Sequence, residues 1–146
     1  MTRTALALPA LALALGACAM PSTKEPPKLP LAGTKWILVT ERKLEGEQPY
    51  LEFGDGALSG YSGCNRLMGR YVMDAVGAGA IVFSQVASSK RMCDAISMAV
   101  EDRILATLRT STSLMIRGNT LRLDGSAGSL TLVGDGAVSN VPNVRP

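Results

Sequence analysis

From Gly33 onward the chain is cut every few residues by glycine-bearing turns, and this punctuation favours short strands over most of its length. Lys35 to Thr40 is β-branched and apolar after the Gly33 break. Tyr50 to Phe53 and Ala57 to Tyr61 flank Gly54-Asp55-Gly56, a hairpin signal, because Asp and Gly tolerate the positive φ that a tight strand reversal needs. Gly69 to Met73 and Ala80 to Phe83 are two further strands, separated by a break at Gly77 and Gly79. Three more close the pattern: Leu114 to Ile116, Thr120 to Leu123 and Ser129 to Val133, with breaks at Gly118-Asn119 and Asp124-Gly125. In the last two, Leu121, Leu123, Leu130 and Leu132 alternate with Arg122 and Thr131, so each strand has one dry and one wet face.

One helix interrupts this series, between Cys93 and Arg109. Ile96, Val100, Ile104 and Leu108 recur every fourth residue with Leu105 beside them, and Glu101, Asp102 and Arg103 lie off that stripe. Asp94 offers an N-cap, with Ser97 as an alternative. The expected fold is therefore mainly β with one helix (α+β): a curled antiparallel sheet or cracked barrel of seven or eight strands packed on a single amphipathic helix. With aromatics at 4%, its core must be built largely from Leu, Val, Ile, Met and Ala. Met68, Met73, Met92, Met98 and Met115 are expected as core filler, since Met adapts to irregular gaps.

The first residues belong to a different physical class. Arg3 gives a positive start, Ala5 to Leu15 is apolar, and Leu15-Gly16-Ala17 precedes Cys18. The apolar run is too short to span a bilayer, which takes about 20 residues as a helix, so it is expected to be a cleaved signal peptide. The site resembles the lipobox of bacterial lipoproteins, which implies lipidation of Cys18 and cleavage before it; Ala19 in place of an acidic residue favours the outer membrane. Prolines at 21, 26, 27 and 30 make the following stretch an extended tether. The expected organisation is a signal peptide over 1–17, a lipidated cysteine and Pro-rich linker over 18–30, one domain over 31–134 and a loose tail over 135–146. Such a protein would sit in the bacterial envelope, lipid-anchored and facing the periplasm.

Several chemistries are excluded by what the sequence lacks. There is no histidine, which removes the commonest general base and the commonest metal ligand. The net charge of +3, or +2 once the leader with Arg3 is gone, is too small to recruit nucleic acid, and no basic run exceeds two residues. No cofactor is expected.

The most distinctive segment is Gly60-Tyr61-Ser62-Gly63-Cys64-Asn65-Arg66-Leu67-Met68-Gly69-Arg70-Tyr71. It resembles the signature of the META domain (HslJ-like) family, G-x-x-G-C-N-x-x-x-G-x-Y. Leu31-Ala32-Gly33-Thr34-Lys35-Trp36 is similar to the family's opening L-x-G-T-x-W, and Val86 to Cys93 resembles the segment ending in its second cysteine. The resemblance covers residues 31–133. It departs near Ser89 to Met92, where the family carries a threonine followed by Arg-Met-Ala. It implies an eight-stranded, incompletely closed antiparallel barrel with one helix, and a family tied to heat stress, drug resistance and secretion without an established reaction.

With Cys18 lipidated, Cys64 and Cys93 remain as an even pair in an oxidising compartment and are expected to form a disulfide. Gly60, Gly63, Asn65, Gly69, Tyr71 and Trp36 are expected to serve structure: glycines for a tight loop, the Asn amide for exposed backbone groups. Ser88, Ser89 and Lys90 could suggest a serine/lysine nucleophile, but such a match arises often by chance and needs a lysine activated by burial or charge. Asp55, Asp74 and Asp94 are single carboxylates, not spaced for acid/base work. The expected function is a non-enzymatic, monomeric envelope lipoprotein acting in stress or drug tolerance through an envelope protein partner or an apolar ligand. The alternatives are a hydrophobic-ligand carrier, a secretion pilot-type lipoprotein and a protease inhibitor. A wide apolar cavity would favour the carrier, a filled barrel a partner-binding module.

Overall fold

Leu121, Leu123, Leu130 and Leu132 do lie on one face of two paired strands, and all four are fully buried, as their alternation with Arg122 and Thr131 requires. This computed structural model describes residues 28–74 and 79–135. The expected signal peptide, Cys18, all of the linker before residue 28, Gly77 and the tail beyond residue 135 lie outside the described residues.

The elements run β1 (Lys35–Leu38), β2 (Tyr50–Gly54), β3 (Ala57–Tyr61), β4 (Arg66–Met73), β5 (Ile81–Ser88), α1 (Ala95–Thr110), β6 (Ser111–Arg117), β7 (Thr120–Gly125) and β8 (Gly128–Gly134). They form one antiparallel eight-stranded sheet in the order β5-β4-β3-β2-β1-β8-β7-β6. Its two outer strands approach each other: Ala80 bridges Ser113, and the Leu114 N–H donates to the Gly79 carbonyl. Gly79 is at φ +76, and a Cβ there would lie 2.6 Å from the Leu114 oxygen, so a side chain at this position would push the seam apart. Helix α1 packs against β5, β7 and β8. The result is the nearly closed barrel with one helix that the sequence leads one to expect.

The β2–β3 turn forms at Asp55-Gly56, where both residues take positive φ, 41° and 75°, as a tight two-residue hairpin of right-twisting strands demands. Three strands are longer than their apolar runs. β4 begins at Arg66, three residues early; β6 begins at Ser111; β5 continues past Phe83 to Ser88. The β5 extension is hidden by a bulge: Met68 pairs with Ala87 but Arg70 with Ser84, so Gln85 and Val86 together face Gly69, and Gln85 sits at φ 54. The β7–β8 reversal is at Ser126-Ala127, not at Asp124-Gly125, because both of those residues are still paired, with Ser129 and Gly128.

Trp36, Leu51, Leu58, Leu67 and Ile81 join the four leucines in the interior, along with Ile104 and Leu108 of α1. Phe53, Phe83 and the partly buried Tyr71 form an aromatic group, Phe53 and Tyr71 meeting edge-on at 5.3 Å. The expectation for methionine fails at three positions: Met68, Met92 and Met115 are 58%, 90% and 49% exposed. Met68 and Met115 stand on the outward side of the pleat, and Met92 lies in the segment leading into the helix. The helical stripe is also corrected. Ile104 and Leu108 reach the interior and Val100 packs at its margin, but Ile96 is 51% exposed, while Glu101 is buried.

Candidate functional site

The buried face of α1 begins with polar residues. Ser97 and Glu101 lie on the same side as Ile104, Leu105 and Leu108, so the first turns of the helix present a carboxylate to the barrel end. Asp94 caps the helix: one carboxylate oxygen accepts from the Ile96 and Ser97 N–H groups at 2.9 and 3.0 Å, the other from the Ser97 hydroxyl at 2.6 Å. Ser97 therefore supports the cap instead of providing it. Those bonds, the Ser97 hydroxyl foremost, hold the Asp94 carboxyl below the usual carboxylate range.

Glu101 meets the loop between β3 and β4. Its Oε2 accepts from the Ser62 hydroxyl at 2.6 Å and from the Asn65 amide at 2.9 Å; its Oε1 accepts from the Ser88 hydroxyl at 2.8 Å. Burial pushes its pKa upward. The bonds from Ser62, Ser88 and Asn65, aided by the charge of Lys90, outweigh burial and hold Glu101 below the usual range, as a carboxylate.

Asn65 is the hub. Its Oδ1 accepts from the Arg91 N–H and from the Ser89 hydroxyl, both at 2.8 Å, while its Nδ2 also donates to the Arg91 carbonyl at 3.1 Å. Ser62 bends the loop by accepting from the Asn65 N–H at 2.8 Å. Cys64 and Cys93, 29 positions apart, are joined as a disulfide, tying this loop to the residue before the helix cap. Among the described residues, every buried side-chain nitrogen and oxygen is bonded.

The other residues of the signature fall around this hub. Gly60 passes the neighbouring strand so closely that a Cβ would lie 2.3 Å from the Tyr50 oxygen, and Gly63 (φ +94) sits against Leu44. Gly69 faces the β5 bulge, Tyr71 packs on Phe53, and Trp36, fully buried, donates its indole N–H to the Leu31 carbonyl at 3.0 Å. The Ser88 and Ser89 hydroxyls donate to Glu101 and Asn65. Asp55 is a turn residue and Asp94 a cap. Among the described residues, no group of three or more His, Cys, Asp or Glu side chains could hold a metal, and no helix is long and apolar enough to cross a membrane.

Sequence reasoning missed Glu101 and its serines. The available signal was Ser97, Glu101, Leu105 and Leu108, which keep helical spacing with the buried leucines; charge alone argued for the wet face.

A family model for the META domain matches residues 29–136. The fold is similar to an NMR structure of a protein from Burkholderia xenovorans, at 24% identity and a TM-score of 0.57, over 72% of this chain and 83% of that one. A second NMR structure is similar at 20% identity and a TM-score of 0.60, over 70% of this chain and 90% of the other. Among curated proteins, none matches the chain.

Proposed function

This chain belongs to the META domain family, and from that premise we propose that it is a non-enzymatic envelope lipoprotein whose domain works through contacts of its outer surface, in stress or drug tolerance. The observation that carries this reading is the filled interior. Leu121, Leu123, Leu130, Leu132 and Leu108 are each fully buried against one another's strands and helix, and Ile104 is 2% exposed, so the space a carrier would keep for an apolar ligand is occupied by side chains. The polar cluster supports the non-enzymatic part: Ser62, Asn65 and Glu101 are buried, and the hydroxyls and amide of the cluster are bonded to partners inside the fold. The lipoprotein part is supported by Leu15-Gly16-Ala17-Cys18.

Two measurements on the full chain purified from cell membranes test the reading. The N-terminal peptide should begin at Cys18 and carry acyl mass; an unmodified thiol there would remove the anchor. Titration with palmitate should give no saturable uptake. Saturable uptake that Ile104→Ala weakens without unfolding the protein would instead make it a carrier.

A further inference from the structure

Beside the disulfide lies a cleft of about 290 Å³, whose walls include Arg66, Arg91, Tyr50 and Tyr61. Neighbouring strands bring these residues together: Tyr50 pairs with Tyr61, Tyr61 pairs with Arg66, and the Arg66 carbonyl accepts from the Ser89 N–H at 3.0 Å. The cleft also contains Glu47, but that carboxylate is engaged by Lys35 at 3.2 Å. Among the described residues, neither arginine has an ion-pair partner and neither tyrosine hydroxyl has a hydrogen-bond partner.

The backbone beneath the two arginines is held by the buried network. The Arg91 N–H donates to Asn65 Oδ1 and its carbonyl accepts from Asn65 Nδ2, so one side chain grips both sides of that residue. The Arg66 N–H donates to the Ser89 hydroxyl at 3.2 Å, and that hydroxyl donates to Asn65. The fold thus fixes the backbone of two arginines that line one cleft, whose single carboxylate, Glu47, is paired with Lys35 and not with either of them.

We propose that this cleft binds a phosphomonoester: Arg66 and Arg91 take its oxygens, and the Tyr50 and Tyr61 hydroxyls donate to what remains. Planar guanidinium forks match phosphate oxygens two at a time, and two unneutralised positive charges match a dianion better than a phosphodiester carrying one negative charge. The pre-set backbone lowers the ordering entropy that loose surface arginines would lose on binding. The same headgroup could arrive on a soluble ester or on a membrane lipid, and the test separates these sources.

The full chain in detergent is titrated with inorganic phosphate while the side-chain N–H signals of its arginines are followed by NMR. Saturable shifts confined to Arg66 and Arg91 are expected, with affinity falling about tenfold for each of Arg66→Gln and Arg91→Gln. The titration is then repeated with micelles doped with phosphatidic acid and with phosphatidylglycerol. Shifts with phosphate alone assign a soluble ester; shifts with phosphate and phosphatidic acid, but not phosphatidylglycerol, assign the lipid. Equal response to phosphatidylglycerol, shifts that follow ionic strength whatever the anion, or shifts that persist in the double variant would overturn the proposal. So would the absence of any shift. Asn65→Ser gives a second handle: with the barrel still folded, it should weaken phosphate binding by freeing the Arg91 backbone, and unchanged affinity would rule out the positioning role.

Discussion

Glu101 shows how a single charged side chain can be compatible with burial. Three donors converge on it, so what matters on replacement is whether they keep an acceptor. Glu101→Gln offers its oxygen to Ser62 and Asn65 and its amide to the Ser88 oxygen, and should cost about 1 kcal/mol or less. Glu101→Ala leaves the fully buried Ser62 hydroxyl and one Asn65 amide hydrogen without this acceptor, while the half-buried Ser88 can turn to water, and should cost about 2–4 kcal/mol by urea denaturation. The pH dependence has a definite sign. Because the folded pKa is depressed, the stabilisation is fully present above the unfolded value of about 4.3. It is lost as pH falls through the folded value. Asp94, also depressed, contributes to the same acid limb. Stability measured from pH 6 to 2 should therefore fall less steeply in Glu101→Gln than in the parent, and parallel curves would contradict the assignment. None of this was legible at residue 101 itself. A carboxylate looks solvated in a helical pattern unless its partners are known, and these come from positions 62, 65 and 88, brought together only by the fold.

At the scale of elements, legibility followed the clarity of the local signal. The Asp55-Gly56 turn and the leucine alternation of β7 and β8 were readable because the backbone conformation and the dry face are each set by neighbouring residues. The second half of β5 was not: Ser84, Gln85 and Ala87 are exposed, and the bulge opposite Gly69 breaks the two-residue period that marks a strand. The helix was found, but its apolar stripe drifts off the buried face toward its start, since Ile96 stands outside the interface that Ser97 and Glu101 occupy. The link between Cys64 and Cys93, 29 positions apart, joins the β3–β4 loop to the approach to the helix. Its reduction should lower stability by about 3–4 kcal/mol if unfolded-chain entropy dominates. Comparing melting curves with and without reductant, in the parent and in Cys64→Ala/Cys93→Ala, checks this: the reductant should shift only the parent.

For the molecule as a whole, the interior is the shared product of both sheet halves and the helix. Ile104→Ala should cost about 2–5 kcal/mol, because the close-packed leucines around it cannot collapse into the space it leaves. A cost below about 1 kcal/mol would mean that the interior is looser than the burial of its leucines implies. The sheet order holds a further consequence. Gly134 at the end of β8 lies opposite Trp36 at the start of β1, with the Leu29 side chain packed over it. The chain thus leaves the barrel where it enters. Joining the two ends by a short loop and opening the backbone before Ser111 would give β6-β7-β8-β1-β2-β3-β4-β5-α1, a plain up-and-down meander in which all seven ladders of the sheet link successive strands. Such a circular permutant should reach the same barrel, because every ladder of the sheet is kept and the two joined ends already lie side by side. A matching amide NMR fingerprint would show that the barrel is specified by its ring of neighbours and not by the point at which that ring is cut, and a collapsed or misfolded permutant would show the reverse.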